Sequence, residues 1–268
     1  MRKVLLTHPS GSSAEIYLNG AQVTSWIPAK GGERLYLSEK ALLSPGKPIR
    51  GGIPVVFPLF ADSGPLPKHG WLRATEWVVA SHDGSTGVTL RTEETPDSRR
   101  LWPHTYDVRL RVELDADSLE VTLIVRNPGA DAFGFTSALH SYLAVSDISR
   151  AEIRGLYGSP YIDKTANRAI VHDNDRVLGI SGETDRIYTG AKPELELIDG
   201  ESVLRISSRG FPDVVVWNPW IDLAKNIADM RDDDYRRFIC VEAAAAAVPI
   251  VLRPGDSWEG TQRLELVV

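Results

Sequence analysis

Apolar and polar positions alternate along much of the chain. Val108, Leu110, Val112 and Leu114 are separated by Arg109, Arg111 and Glu113, the period of a strand with one wet face. After Asp115-Ala116-Asp117-Ser118 the alternation resumes at Leu119, Val121, Leu123 and Val125, which predicts an antiparallel hairpin that Asn127-Pro128-Gly129 ends. A second hairpin is expected where Leu195 and Leu197 alternate with Glu194 and Glu196, turn at Asp199-Gly200 and return through Val203-Leu204-Arg205-Ile206-Ser207. Trp77-Val78-Val79, Val88-Thr89-Leu90, Val214-Val215-Val216-Trp217, Val248-Pro249-Ile250-Val251-Leu252 and Leu264-Glu265-Leu266-Val267-Val268 predict further strands. Helical patterns are few and short. Asp222 to Met230 is the best of them, while Ala243 to Ala247 has helical propensity but lies between strand-like runs. Short strands punctuated by 22 Gly and 17 Pro imply an all-β fold, an antiparallel sandwich or barrel. Without a repeat, linker or composition break, residues 1–268 are expected to form a single domain.

Composition narrows the function classes. The chain has 268 residues, 43% hydrophobic and 25% charged, which excludes a disordered tail, a collagen and a coiled coil. A net charge of -6 leaves no broad basic field for nucleic acid or an anionic membrane, so an anion site must be a local cluster of cations. One cysteine, Cys240, cannot form an internal disulfide and fits a reducing compartment. Its apolar neighbours Ile239 and Val241 suggest a buried inert thiol. The apolar start at Val4-Leu5-Leu6 stops at Thr7-His8-Pro9, too soon for a signal peptide, and no apolar run approaches the roughly 20 residues of a membrane span. A soluble cytoplasmic protein is expected, a monomer acting on a small molecule.

Motifs for dinucleotides, phosphate loops, zinc and redox pairs are missing, so no cofactor or metal is expected. Asp232-Asp233-Asp234 reads as a solvated loop, because consecutive carboxylates cannot converge on one ion in regular structure. More informative are polar residues in apolar or Gly/Pro-rich context. Arg50 precedes the rigid Gly51-Gly52-Ile53-Pro54, and Lys68-His69-Gly70-Trp71-Leu72-Arg73 groups nitrogen donors around a glycine. His140 sits in the mostly apolar Ser137 to Leu143 run and Glu242 in Phe238 to Ala244. Taken alone, each has an ordinary alternative: a surface ion pair for Arg50, a satisfied core histidine for His140, an edge-strand carboxylate facing water for Glu242.

In this order and spacing the segments resemble the aldose 1-epimerase (galactose mutarotase-like) superfamily, and within it the glucose-6-phosphate 1-epimerase group. The markers are Gly20 to Trp26, Ile49 to Pro58, His69 to Arg73, Leu139-His140-Ser141-Tyr142, Asp185-Arg186-Ile187-Tyr188, Val216 to Trp220 and Cys240-Val241-Glu242. The resemblance implies a large antiparallel β-sandwich, with Glu242 as general base and His140 as general acid. It also implies that His69 and Asp185 hold sugar hydroxyls and that Arg50 and Arg73 take a phosphate. At their usual values, about 4.3 for Glu and about 6.5 for His, the pair supplies a carboxylate and a proton near neutral pH. The chain departs from the family pattern at Lys68, where Gln is usual, at Trp71-Leu72-Arg73, and at Ala243 to Ala247, where a Pro-Gly-like segment often follows the glutamate. Lys68 is either a third cation at the phosphate or a surface residue. Trp26, Trp71, Trp217 and Trp220 are candidates to line a sugar cleft, or equally core packing. The expected activity is interconversion of hexose 6-phosphate anomers. The alternatives are an epimerase for unphosphorylated aldoses and a sugar-binding module without turnover.

Overall fold

The computed structural model describes residues 1–62 and 64–267. Alternation in the sequence becomes burial in the sheets. Asp107–Leu114 pairs antiparallel with Ser118–Arg126, setting Val108 opposite Val125, Leu110 opposite Leu123 and Val112 opposite Val121. These side chains are buried, while Arg109 and Glu113 face water. The second expected hairpin forms from Glu194–Asp199 and Ser202–Arg209. Both belong to a nine-stranded sheet that runs, in space, Val177–Gly179, Glu152–Arg154, Glu194–Asp199, Ser202–Arg209, Ser257–Leu266, Ser118–Arg126, Asp107–Leu114, Gly87–Glu93 and Val78–His82. Of the predicted C-terminal run, Val268 lies outside the described residues.

A second sheet has eight strands. Its path is Ala169–His172, Pro160–Asp163, Thr184–Thr189, Asp213–Asn218, Phe238–Leu252, Phe133–Leu139 and Val55–Val56, with Tyr142–Ala144 also paired to Phe238–Leu252. Lys3–Thr7, Ser13–Tyr17 and Gln22–Ile27 form a third, three-stranded sheet. The core draws on all three, for example Leu6 and Trp26, Leu110 and Leu123, Val216 and Val241. The fold is an antiparallel β-sandwich with few helical turns, as the alternation predicts.

The alanine run is strand. Ala243 lies opposite Leu139 on one side and Val214 on the other, so ladders on both edges override helical propensity. Register shifts between Ala245 and Ile250, and the buried Asp213 carboxylate accepts the Ala246 and Ala247 amides at 2.9 and 2.8 Å. The helix expected over Asp222 to Met230 is instead a short one at Trp220–Ala224. Ile227 and Met230 donate to the Ala224 and Ile227 carbonyls, three residues back, so the chain continues as tight turns. An unpredicted helix, Pro96–Leu101, starts with a reciprocal cap between Thr95 and Ser98. Among the described residues no helix is long and apolar enough to cross a membrane.

Gly70 fixes the approach of one loop to the sheet. Its φ is +66°, and a Cβ there would lie 1.9 Å from the Phe57 carbonyl oxygen. Gly200 has a similar φ of +65° with nothing within 4 Å. Gly70→Ala is therefore expected to cost about 3 kcal/mol or more and Gly200→Ala only about 1 kcal/mol, read by urea unfolding. Equal losses would mean that the close approach contributes nothing beyond the backbone conformation.

Candidate active site

Strand parity places the central carboxylate. On Phe238–Leu252, Val241 and Ala243 enter the inter-sheet core, so Glu242 and Ala244 point to the opposite face. There Glu242 lies across from Val215 and is buried, only 1% exposed. On the neighbouring strand Leu139 pairs with Ala243, which brings the next residue, His140, alongside Glu242. His140 follows the strand rather than continuing it, and its amide donates to the Pro54 carbonyl at 3.0 Å. Gln262 reaches both segments from the opposite sheet. Its amide donates to the Val241 carbonyl at 2.9 Å, and its carbonyl accepts the Ser141 hydroxyl.

The His140 Nε2 and Glu242 Oε1 atoms are 3.4 Å apart. His140 Nδ1 and Glu242 Oε2 are buried without a partner among the described residues. Buried polar atoms are normally satisfied, so an unpartnered one on each side marks a place for a ligand. The pair meets a cleft of about 200 Å³ walled by Arg50, Lys68, Arg73 and Tyr142, which continues into a recess of about 60 Å³ beside Asp185 and Lys164. Lys68, His69, His140 and Trp217 line both parts. The predicted residues Arg50, Lys68, His69, Arg73, His140, Asp185 and Glu242 thus come together, and Lys68 is a cleft cation at the exposed rim.

Each predicted residue is held in its own way. Gln22 donates to the carbonyls of Ile49 and Gly51, fixing the backbone that carries Arg50. The Arg50 guanidinium donates to Asp229 at 3.0 Å and to the Tyr142 hydroxyl at 2.9 Å. Arg73 donates to the Lys68 carbonyl at 2.9 Å and makes no ion pair among the described residues. His69 has a φ of 64°, an uncommon conformation for a side-chain-bearing residue. Its Nδ1 accepts the Ala61 amide at 3.3 Å, which leaves the proton on Nε2. Asp185 accepts Lys164 at 2.7 Å. Trp217 lies edge-on to His140, whereas Trp26 is core, Trp71 donates to the Tyr106 hydroxyl and Trp220 packs on Tyr235.

The usual pKa values assumed for the pair do not hold. Burial pushes the Glu242 carboxyl well above the carboxylate range, with the Asp185 charge adding and Lys164 opposing. Burial also pulls His140 down to about 3, helped by Arg50, Arg73 and Lys68. His69 is lowered to about 2, first by burial, so it remains a neutral donor. Burial thus favours a carboxylic acid beside a neutral imidazole. Two further expectations change. Asp234 is buried, accepting the Tyr36 hydroxyl at 2.8 Å and the Arg231 amide at 2.9 Å, so the Asp232 to Asp234 run is not wholly solvated. Glu242 is on a central strand and does not face water.

The model of the aldose 1-epimerase family matches residues 2–265. The chain belongs to that family. A Cenchrus ciliaris relative, provisionally named glucose-6-phosphate 1-epimerase, is 36% identical over 100% of this chain and 85% of its own length. An Escherichia coli relative with the same provisional name is 33% identical over 91% of this chain and 83% of its own. The crystal structure of a provisionally named mutarotase from Salmonella typhimurium superposes with a TM-score of 0.90 at 28% identity, covering 98% of this chain and 90% of that one.

Sequence reasoning missed Lys164, Asp229 and Gln262 as site residues. Gln262 shares its parity with the inward-facing Leu264, a polar residue in an apolar series, and could have been noticed. Lys164 and Asp229 lie in turns and carry no such signal. Lys164 is the cation that offsets Asp185 beside Glu242. Without it an uncompensated Asp185 opposes ionisation, and the carboxylate forms only at higher pH. The Glu242 carboxyl titration, followed by ¹³C NMR, is expected to move up in Lys164→Met and to return in Lys164→Arg. An unchanged midpoint would detach Lys164 from Glu242.

Proposed function

We propose that the cleft interconverts the α and β anomers of hexose 6-phosphates, glucose 6-phosphate being the substrate to test first. The observation that carries this reading is the His140–Glu242 pair, each partner with an unused polar atom, in a cleft walled by Arg50, Arg73 and Lys68. Opening a cyclic hemiacetal needs a base for the anomeric hydroxyl proton and an acid for the ring oxygen. Glu242 as carboxylate takes the first proton and His140 as imidazolium gives the second. The pair is then a carboxylic acid and a neutral imidazole, the arrangement that burial favours, beside an open-chain aldehyde. Once the aldehyde has turned its other face, His140 removes the hydroxyl proton and Glu242 returns one to the new anomeric oxygen. Each closure restores the starting protonation, so one enzyme form serves both anomers.

The phosphate, at about -1.5 to -2 charge, fits the cationic wall. Arg73, free of a carboxylate, is the open fork, and Arg50 is braced by Asp229 and Tyr142. A neutral sugar would leave the Arg73 charge without an anionic partner, which favours a phosphosugar over an unphosphorylated aldose. His69 donates through Nε2 and Asp185 accepts in the recess, positions suited to sugar hydroxyls. The alanine run after Glu242, a departure from the family pattern, is a strand segment, and Glu242 and His140 lie 3.4 Å apart beside it.

Glu242→Gln and His140→Asn are each expected to slow anomer exchange about 10²- to 10⁴-fold, measured by exchange NMR on folded protein. Full activity in either variant would remove that residue from the reaction. Arg73→Ala should raise KM for glucose 6-phosphate about tenfold or more without slowing glucose turnover. Equal losses on both sugars would discard the phosphate assignment.

A further inference from the structure

The cations are spread unequally about the acid–base pair. Arg50 and Arg73 share the outer cleft with His140, Glu242 belongs to the recess beyond it, and Lys68 borders both. His140 is also faced by His69, edge-on at 5.5 Å, and by Tyr142, stacked at 4.9 Å. Asp229 is engaged with Arg50 and Asp185 with Lys164, so neither carboxylate cancels the charge on Arg73 and Lys68. Cys240, two residues before Glu242 on the same strand, is buried and held as a thiol. An imidazolium at His140 is therefore opposed by the cationic wall as well as by burial. Ring opening, however, starts from that imidazolium and a Glu242 carboxylate.

We propose that the substrate's phosphate arms the pair as well as anchoring the sugar: by neutralising Arg50, Arg73 and Lys68 it shifts a proton from Glu242 to His140. This rests on the hexose-phosphate reading above. The Oε1–H bond of Glu242 breaks, the lone pair of His140 Nε2 takes the proton across the 3.4 Å contact, and the carboxylate keeps the bonding electrons. Nothing is oxidised or reduced, and no proton comes from solvent. The charge pattern makes the phosphate act on His140 selectively, because Arg50 and Arg73 line the outer cleft with His140 and not the recess with Glu242, Lys68 alone bordering both. Phosphosugar preference then appears in turnover and not only in affinity.

The phosphate can be supplied as a separate piece. Xylose, an aldopyranose lacking C6, would be equilibrated by the full-length enzyme with and without inorganic phosphite, against sodium chloride at matched ionic strength. Phosphite should accelerate xylose anomer exchange about tenfold or more, equivalent to one pKa unit or more of His140, and Arg73→Ala should abolish the acceleration. In the same samples the His140 ring ¹⁵N signals should change from imidazole to imidazolium as the Glu242 ¹³C signal changes from acid to carboxylate, with His69 unmoved. Turnover of glucose 6-phosphate with no phosphite effect on xylose or on these signals, whether or not phosphite binds, would overturn the proposal and leave the phosphate as an anchor. Failure to turn over glucose 6-phosphate at all would instead defeat the hexose-phosphate reading.

Discussion

The site depends on Gln262. From the nine-stranded sheet its side chain holds the backbone of Val241 and the hydroxyl of Ser141, each the immediate neighbour of one member of the acid–base pair. An amide buried to 2% exposure between two sheets stays there at low cost only when its polar atoms are matched. By satisfying them across the layers, the contact fixes the spacing of the Phe238–Leu252 strand and the His140 segment. The sandwich core supplies the rigid platform, and this amide sets how two elements of that platform meet. Glu242 then needs no direct hydrogen bond to be positioned, which leaves its second oxygen unengaged.

Burial of that pair has opposite effects on its two members. It raises the carboxyl and lowers the imidazole, so each neutral form is favoured over its ion. Such a bias would disable a site that needed one fixed base. Mutarotation passes through both arrangements of the same protons, so a neutral pair is one of its working states. The surrounding charges trim the balance: Lys164 favours the carboxylate from the recess, and Arg50, Arg73 and Lys68 disfavour the imidazolium from the outer wall. The site is thus governed by where charges lie relative to the pair.

Much of the framework was readable in the sequence because its physics is local. Alternation at Val108 to Val125 and Leu195 to Ile206 identified hairpins whose registers the sheets display. Motif resemblance collected Arg50, His69, Arg73, His140, Asp185 and Glu242, and the fold brings them to one cleft. What escaped was set by tertiary context. The turns at residues 225–230 are stabilised by packing of Ile227 and Met230, which propensity does not register. Lys164 matters only because the Thr184–Thr189 strand lies beside Pro160–Asp163, which leads into the Lys164 turn, and presents Asp185. Likewise, usual pKa values served as a guide to the pair until burial was known, since desolvation belongs to the fold and not to the residue type.

The two arginines of the cationic wall and Glu242 occupy different parts of the cleft, Arg50 and Arg73 outside and the carboxylate in the recess. A ligand gripped at the wall is held by a group whose structure is the same in both anomers. Affinity from that grip cannot distinguish reactant from product, because the configuration being inverted lies away from the handle. The Haldane relation then ties the ratio of forward and reverse kcat/KM to the solution equilibrium between anomers. No contact in the cleft can alter that ratio; with anchoring common to both, the few contacts around the anomeric centre decide only how kcat and KM divide for each anomer. The cleft is consequently built as a two-way exchanger, matching whichever anomer is in excess without a preferred direction of flow.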